Sequence, residues 1–373
     1  MRGRDLAEEG GSVDHLESRY FAWQGPSRRA AAMERSGSHR KDIPFSDSDL
    51  SAMCQRVLRD SGFRNPPVDL PRLMRGLGAR LLERPISCPG RLETTPYGYD
   101  VIVDPRQSFE SRRFTIAHEL GHVLIRENRL PSVKFPEDDS RAHPLIERVA
   151  NRIASELLMP RDSFLRDLLI AGMTSPALNS IRSAYRTSLS ATLQRILEVT
   201  AAVSFSLWTE PLASRDPPSR KPLLIHSWSL GRYRRLTAGA SSSVVSPDIV
   251  AASLKPGTET AFARSLRFRV EGYPSNLVGV GVNMTRTRGV AALARRFWPL
   301  LGSGDVVSCE PDECAFAGLL LLDPRVAKDW ERVCQALRHT GPKNARQTGL
   351  DEVGFATIDP PAFAQVSSGS SPL

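Results

Sequence analysis

The sequence predicts an α+β protein with a mainly helical domain in its first half and a second α+β domain after it. Three observations support this prediction. Apolar residues recur at helical spacing through most of residues 44–200, and two short segments before residue 105 read as strands. After about residue 201, strand-like segments alternate with helical ones. The chain has 373 residues, which leaves room for two or three domains.

The composition excludes some classes of protein but does not identify a function. The net charge of +9 comes from arginines spread along the chain, which favours a solvated basic surface over a dedicated DNA patch. No apolar stretch is long enough to predict a membrane span, and the first 20 residues lack the apolar core of a secretory signal. Five irregularly spaced cysteines argue against a disulfide framework and fit a reducing cytoplasm. We therefore expect a cytoplasmic protein.

The first elements are two helices followed by two strands. Residues 1–43 are polar and charged, and we predict that they are disordered. The segment SDSDLSAMCQRVLRDSGF reads as a helix, since Leu50, Met53, Val57 and Leu58 share one face. A proline turn, a short helix and a strand follow. The segment PYGYDVIVDP alternates polar and apolar residues and is predicted to be the better strand.

Two longer helices come next. RRFTIAHELGHVLIR forms the first, and Ser108 or Ser111 can cap it. A loop at about 128–142 leads to PLIERVANRIASELLM, which Pro144 opens and Pro160 closes.

The remainder divides into a helical segment and the second domain. Residues 161–200 look helical, and 174–200 has the form of a helix-turn-helix with Ser190 near the second cap. VSFSLW, KPLLIHSW, LRFRV and LVGVGVNM read as strands, whereas VAALARRFW and the segment around AKDWERVCQALRHT read as helices. The predicted boundaries are 1–43 (disordered), 44–165 (first domain), 166–210 (helix-turn-helix-like), 211–222 (linker), 223–345 (second domain) and 346–373 (disordered tail).

The segment His118-Glu119-Leu-Gly-His122 predicts a metal site. Residues four apart on a helix are offset by only about 40°, so His118 and His122 can bind one ion. Glu119 points elsewhere, but it can reach a water molecule beside that ion and act as a general base. With only seven histidines in the chain, chance is a poor explanation. Zinc is the expected metal, and manganese also fits such ligands.

A third protein ligand is needed, and several downstream side chains could supply it. Glu147 is favoured because it lies on a helix, at the edge of an apolar stripe. Asn151 lies one turn further on and can hydrogen-bond a ligand imidazole. The other candidates are Glu127, Glu137, Asp138, Asp139, His143 and Glu156. His143 could instead act on the reacting carbonyl, and Tyr97, Tyr99, Arg112 and Arg113 are further candidates to steady an oxyanion.

Together these segments resemble the ImmA/IrrE group of zinc metallopeptidases. FTIAHELGHVL is similar to the helix of that family, and ERVANRIASELLMP matches its second motif in register, with Ile153 in place of the usual Phe. The resemblance covers about residues 50–165. It implies a gluzincin-like fold in which His118, His122 and Glu147 bind the metal and Glu119 is the catalytic base. It also implies a GAF-like second domain, by architecture rather than by motif.

The same resemblance implies cleavage of helix-turn-helix repressors of the XRE type, which releases stress-response or mobile-element genes. We expect this reaction, and hence a repressor as the protein partner. Two alternatives remain open at this point. The chain could be a DNA- or partner-binding regulator with a structural or inactive zinc site, as its basic charge and residues 174–200 suggest. The second domain could also sense a small ligand and gate the peptidase.

Overall fold

The computed structural model describes residues 47–127, 129, 143–200, 202–211, 223–229, 261–267, 276–300 and 310–323. The chain separates into two units, Met1–Leu158 and Met159–Leu373. Helices and sheets occur in both, which confirms the α+β class. In the described part of the chain, no helix combines the length and apolarity that a bilayer crossing requires. The predicted disordered ends and most of the predicted linker lie outside the described residues.

The first unit begins with two helices and a three-stranded sheet. The elements are α1 (Asp47–Asp60), α2 (Leu70–Gly76), β1 (Ala79–Glu83), β2 (Gly90–Thr95) and β3 (Gly98–Val103). The strand order is β1-β3-β2, with β1 parallel and β2 antiparallel to β3. Strand β2 was not predicted from the sequence. Its side chains are all half-buried or exposed, so it lacks the alternation with buried apolar residues that reveals a strand.

The next two helices are the long ones predicted from the sequence, α3 (Phe109–Arg126) and α4 (His143–Leu158). The Ser108 side chain caps α3 by accepting a hydrogen bond from the backbone N–H of Ser111, which identifies Ser108 as the cap. The stripes predicted to pack inward are buried on both helices except for Ile146, which is half-buried; the buried members are Ile116, Leu120, Val123 and Leu124 on α3 and Val149, Ala150, Ile153, Ala154 and Leu157 on α4. Because the apolar stripes face the core, the polar side chains of α3 and α4 lie on the remaining faces of the two helices.

The second unit opens with three helices, α5 (Arg161–Ala171), α6 (Ser175–Tyr185) and α7 (Leu189–Thr200). Helix α5 continues without a break across position 165, where the sequence placed a domain boundary. Thr174 caps α6, and the Ser188 hydroxyl accepts from the backbone N–H of Ala191 at the start of α7. Ser190, expected near the second cap, lies inside α7 instead, because the helix begins one residue before it.

A five-stranded antiparallel sheet follows, in the order β5-β4-β8-β7-β6. Its elements are β4 (Ser204–Pro211), β5 (Leu223–Ser229), β6 (Ala261–Arg267), β7 (Asn276–Asn283), α8 (Val290–Arg295) and β8 (Cys314–Leu322). The central strand β8 was not predicted. The predicted LRFRV strand overlaps β6 at Leu266 and Arg267, and the rest of it, 268–270, lies outside the described residues, as does the predicted AKDWERVCQALRHT helix. The GAF-like identity of this domain stays a prediction.

Candidate metal centre

Helix α3 places the two histidines of the motif on one face. The Nε2 atoms of His118 and His122 lie 3.1 Å apart, and the ring centroids are 4.8 Å apart with the ring planes nearly perpendicular. Both side chains are more than four-fifths buried, yet each ring still reaches the surface. Two imidazole nitrogens therefore converge on one point at the edge of the core, as the four-residue spacing predicted.

Helix α4 brings the carboxylate of Glu147 to the same point. One of its oxygens, Oε2, lies 3.3 Å from His118 Nε2, and the other, Oε1, lies 3.4 Å from His122 Nε2. In a tetrahedral zinc site with bonds of about 2.0–2.1 Å, neighbouring ligand atoms are about 3.3 Å apart. Each histidine thus has one Glu147 oxygen at about this distance, and single donor atoms from the three side chains all lie within 4.8 Å of one another. Within the described residues these three are the group of His, Cys, Asp and Glu side chains that could hold a metal ion.

Asn151 contacts the other nitrogen of the first histidine. Its Oδ1 atom lies 3.0 Å from His118 Nδ1. An amide oxygen can only accept, so Nδ1 carries the hydrogen, and in the neutral ring Nε2 keeps its lone pair. The hydrogen bond thus holds His118 in the tautomer and orientation that a metal ligand at Nε2 needs.

The protonation equilibria of the ligands reflect their closeness. Hydrogen bonds from His118 and His122 are the main cause that holds the pKa of Glu147 far below its ordinary value. Burial acts to lower the pKa of His118, but Glu147, Glu119 and Asn151 together raise it above its ordinary value. Two imidazoles and one carboxylate this close together form a donor set that can bind a divalent cation.

Glu119, the carboxylate of the motif, is buried, with 7 % of its surface exposed. Burial is the main cause that raises its pKa above the ordinary value, and Glu147 adds to the effect. His118, His122 and Arg126 oppose this rise in the pKa. A glutamate whose pKa is raised towards neutrality is a stronger proton acceptor than an exposed one, which suits a general base.

Two residues that the sequence analysis did not single out shape the site. At Gly121, an added Cβ would lie 2.9 Å from the backbone oxygen of Ala150 and 3.0 Å from its Cα. Only a glycine allows α3 and α4 to approach this closely, and the approach brings Glu147 to the histidines. Arg126 lies one turn beyond His122, and its guanidinium donates to Thr94 Oγ1 at 2.7 Å. The four-residue spacing from His122 could have revealed it.

The other candidate ligands are engaged elsewhere or not described. Glu127 accepts a hydrogen bond from the Tyr99 hydroxyl at 2.7 Å, and the buried Glu156 accepts one from Ser51 at 2.8 Å. Residues 137–139 lie outside the described part of the chain, as does the side chain of His143, the first residue of α4.

The remaining oxyanion candidates have their own surroundings. Arg112 pairs with Glu83, Arg113 donates to the backbone oxygen of Val68, and Tyr97 is 97 % exposed at the turn between β2 and β3. Tyr99, as described, donates to Glu127.

Comparison with known proteins agrees with this geometry. Residues 80–197 match the family model described as the IrrE N-terminal-like domain, Peptidase_M78. The radiation response metalloprotease IrrE of Deinococcus radiodurans is 25 % identical over 234 residues, which are 57 % of this chain and 68 % of that protein. A solved structure of a Mycobacterium tuberculosis transcriptional regulator aligns with a TM-score of 0.43 and 14 % identity, over 80 % of this chain and 96 % of that one. The last likeness is too weak to bear on function.

The family match begins in β1 and ends in α7, so it contains both helices of the metal site. His118, Glu119, His122 and Glu147 all fall within it. The chain therefore contains an IrrE N-terminal-like (Peptidase_M78) domain and is a distant homologue of the radiation response metalloprotease IrrE.

Proposed function

We propose that this chain is a metal-dependent endopeptidase, with zinc as the metal and manganese as the alternative. The observation that supports this best is the triangle of His118, His122 and Glu147 with a second carboxylate, that of Glu119, beside it. A purely structural zinc site usually has four protein ligands and has no need of a neighbouring base. Three ligands and a buried Glu119 are the arrangement of a hydrolytic site.

The proposed reaction is hydrolysis of a peptide bond. A divalent ion held by the three side chains supplies Lewis acidity for the scissile carbonyl and for the attacking water. Glu119 accepts the proton of that water and then donates it to the nitrogen of the leaving amine. Asn151 keeps His118 in its ligand tautomer throughout, and Gly121 keeps the two helices close enough for Glu147 to remain the third ligand.

We propose a transcriptional repressor of the helix-turn-helix, XRE-like class as the substrate. Two arguments support this choice, the resemblance to the ImmA/IrrE family and the homology to a protein named for its radiation response. Cleavage of such a repressor would switch on a stress-response or mobile-element gene set. A peptidase that destroys a repressor has to be held inactive until it is needed, and the second unit is our candidate for that regulatory role.

The alternative function, DNA binding through residues 174–200, has a structural argument against it. The second helix of a helix-turn-helix must expose a face to enter the major groove. In α7, nine of the twelve residues are buried, and Ser190, Ala191 and Gln194 are only half-buried. We therefore assign these helices a packing role.

The test is co-expression of the chain with repressors encoded near its gene, followed by mass spectrometry of the repressor fragments. We expect one defined cleavage that disappears with a chelator and with Glu119→Gln. The purified Glu119→Gln protein should keep its metal and lose turnover by about 10²–10⁴-fold. Undiminished cleavage by metal-loaded Glu119→Gln would refute the assigned base. Salt-sensitive, sequence-selective DNA binding without any proteolysis would favour the regulator instead.

A further inference from the structure

The carboxylate of Glu119 lies against the first residue of β2. A Cβ added at Gly90 would lie 2.9 Å from Glu119 Oε1 and 3.4 Å from its Cγ. It would also lie 2.3 Å from Cγ2 of Thr115, which precedes Glu119 by one turn of α3. Real Cβ atoms do not make contacts as short as 2.3 or 2.9 Å. The missing Cβ at Gly90 therefore leaves the space that the Glu119 side chain occupies.

The wall formed by Gly90 and Thr115 is held in place by one side chain. Gln107 donates from Nε2 to the backbone oxygen of Pro89 at 2.6 Å and accepts from the Thr115 hydroxyl at 2.9 Å. It therefore ties the start of β2 to α3. Rotation of Thr115 about its χ1 angle would move Cγ2 away from residue 90, but it would also break the hydrogen bond to Gln107. Thr115 cannot yield at no cost.

Packing, not hydrogen bonding, is what orients the Glu119 carboxylate. Among the residues that the structure describes, none makes a hydrogen bond or ion pair with it. The direction of a nearly buried side chain without a hydrogen bond is set by the atoms it touches. On one side of Glu119 the neighbouring residue is Gly90, whose other close neighbour is Thr115.

We propose that Gly90 and Gln107 are positioning residues that aim the carboxylate of Glu119 in the peptidase reaction. This inference rests on the proposed function. Gly90 supplies the space, Gln107 fixes the distance between β2 and α3, and Glu119 is confined to one orientation. A methyl group at residue 90 displaces the carboxylate, and a misplacement of about 1 Å can reduce a catalytic rate about 100-fold.

The first experiment compares Gly90→Ala with the matched control Gly76→Ala in the full chain. A Cβ at Gly76 would lie at an ordinary 3.5 Å from the Ser61 hydroxyl, so this control should behave like wild type. For Gly90→Ala we expect kcat to fall roughly 10–100-fold, with little change in KM and with normal metal content, since the three ligands lie on α3 and α4. Gln107→Ala should lower kcat by a smaller factor. Wild-type kcat in Gly90→Ala would overturn the proposal.

A second variant separates displacement of the base from general damage to the fold. Thr115→Ser removes Cγ2 but keeps the hydroxyl that bonds Gln107, so it makes room for the methyl group that Gly90→Ala adds. The double variant should recover part of the kcat lost in Gly90→Ala, and the contact with Glu119 Oε1 should prevent full recovery. No recovery in a folded, metal-loaded double variant would overturn the proposed role of the wall.

Thermal unfolding of the chelator-treated proteins gives a readout independent of activity. Gly90→Ala should lower the Tm of the wild-type protein by roughly 3–8 °C, because it overpacks the contact. In a protein that already carries Thr115→Ser or Glu119→Ala, the same substitution should lower Tm by less. Additive Tm shifts would show that residue 90 contacts neither side chain, and would overturn the inference even if the wild-type protein cleaves nothing. Absence of wild-type cleavage alongside coupled Tm shifts would instead count against the proposed function.

Discussion

Two helix pairs of this chain carry sequence patterns associated with function, and they use their polar residues in opposite ways. In the pair α3 and α4, polar side chains converge at the edge of the core and stay within reach of solvent. In the pair α6 and α7, Ser180 and Ser183 of α6 are exposed, whereas most polar side chains of α7 are buried. Arg195 of α7 is 1 % exposed, and it donates to Glu198 at 3.0 Å and to the backbone oxygen of Met159 at 2.9 Å.

The difference shows that a motif predicts function only when its polar atoms are left for a ligand. Among the described residues, the imidazole nitrogens of α3 contact one another, Glu147 and Asn151, and the two Nε2 atoms face the same point as the Glu147 carboxylate. In the second pair, internal hydrogen bonds engage the buried polar groups, as when Thr192 contacts Thr187 and donates to the backbone oxygen of Ser188. Substitutions in the first pair should therefore change metal binding and activity, and substitutions in the second should change stability.

Loss of the third ligand should have the largest effect. Glu147→Ala removes one corner of the triangle, so we expect little bound zinc by elemental analysis. We expect peptidase activity to fall by about 10³-fold, since the ion contributes several kcal/mol to the reaction. Arg148→Ala, an exposed neighbour on the same helix, is the control and should keep both. A fully metal-loaded, active Glu147→Ala protein would mean that another residue is the third ligand.

Breaking the buried ion pair of α7 should have the next largest effect. Arg195→Met removes the positive charge paired with the buried Glu198, and we expect the free energy of unfolding to fall by about 3–5 kcal/mol. Urea unfolding followed by tryptophan fluorescence is a suitable measurement, because four of the five tryptophans lie beyond residue 200.

The double variant Arg195→Met/Glu198→Leu removes both charges and should recover most of that loss. Weakened DNA binding in Arg195→Met, without loss of stability, would contradict the packing role of α7 and would revive the regulator hypothesis.

Loss of the hydrogen bond to the first histidine should have a moderate effect. Asn151→Ala frees the His118 ring to change tautomer and orientation, and we expect zinc affinity to fall about 10–100-fold in competition with a chelating dye. Asn151→Asp keeps an acceptor at the same place and should bind zinc more tightly than Asn151→Ala. Equal affinity in wild type and Asn151→Ala would show that the ring is oriented by packing alone.

The smallest effect, and one of opposite sign, is expected at the turn between α6 and α7. Arg186 ends α6 with φ of 52°, in the left-handed region that favours glycine. Arg186→Gly should raise the free energy of unfolding by about 0.5–1 kcal/mol and leave peptidase activity unchanged. Arg186→Ala is the control, because alanine relieves no backbone strain there. A destabilised Arg186→Gly protein would indicate that the arginine side chain itself stabilises the turn.

The metal-site helices were the most predictable part of the molecule. Helical spacing alone placed His118 and His122 together, and the apolar stripes predicted which faces of α3 and α4 pack. Glu147 was favoured as the third ligand because it lies on a helix, at the edge of the apolar stripe of that helix. Such features depend on local periodicity, which a sequence displays directly.

The features that the sequence did not reveal depend on contacts between distant segments. Strand β2 has no fully buried side chain, and β8 is buried at all nine positions, so neither shows the alternation of a half-buried strand. The closeness of Gly121 to Ala150 and of Gly90 to Glu119 exists only once helices and strands have assembled. The cap of α7 differed by two residues, because three serines between 183 and 190 compete for that role.

The central position of β8 has a consequence for the order in which the protein is made. Strand β8 joins β4 to β7, yet it is the last of the described strands to leave the ribosome. Helices α3 and α4 can pair as soon as residue 158 has emerged, whereas the second sheet waits for residue 322. During translation, nascent chains should therefore assemble the helix pair of the candidate metal site well before the downstream half can fold.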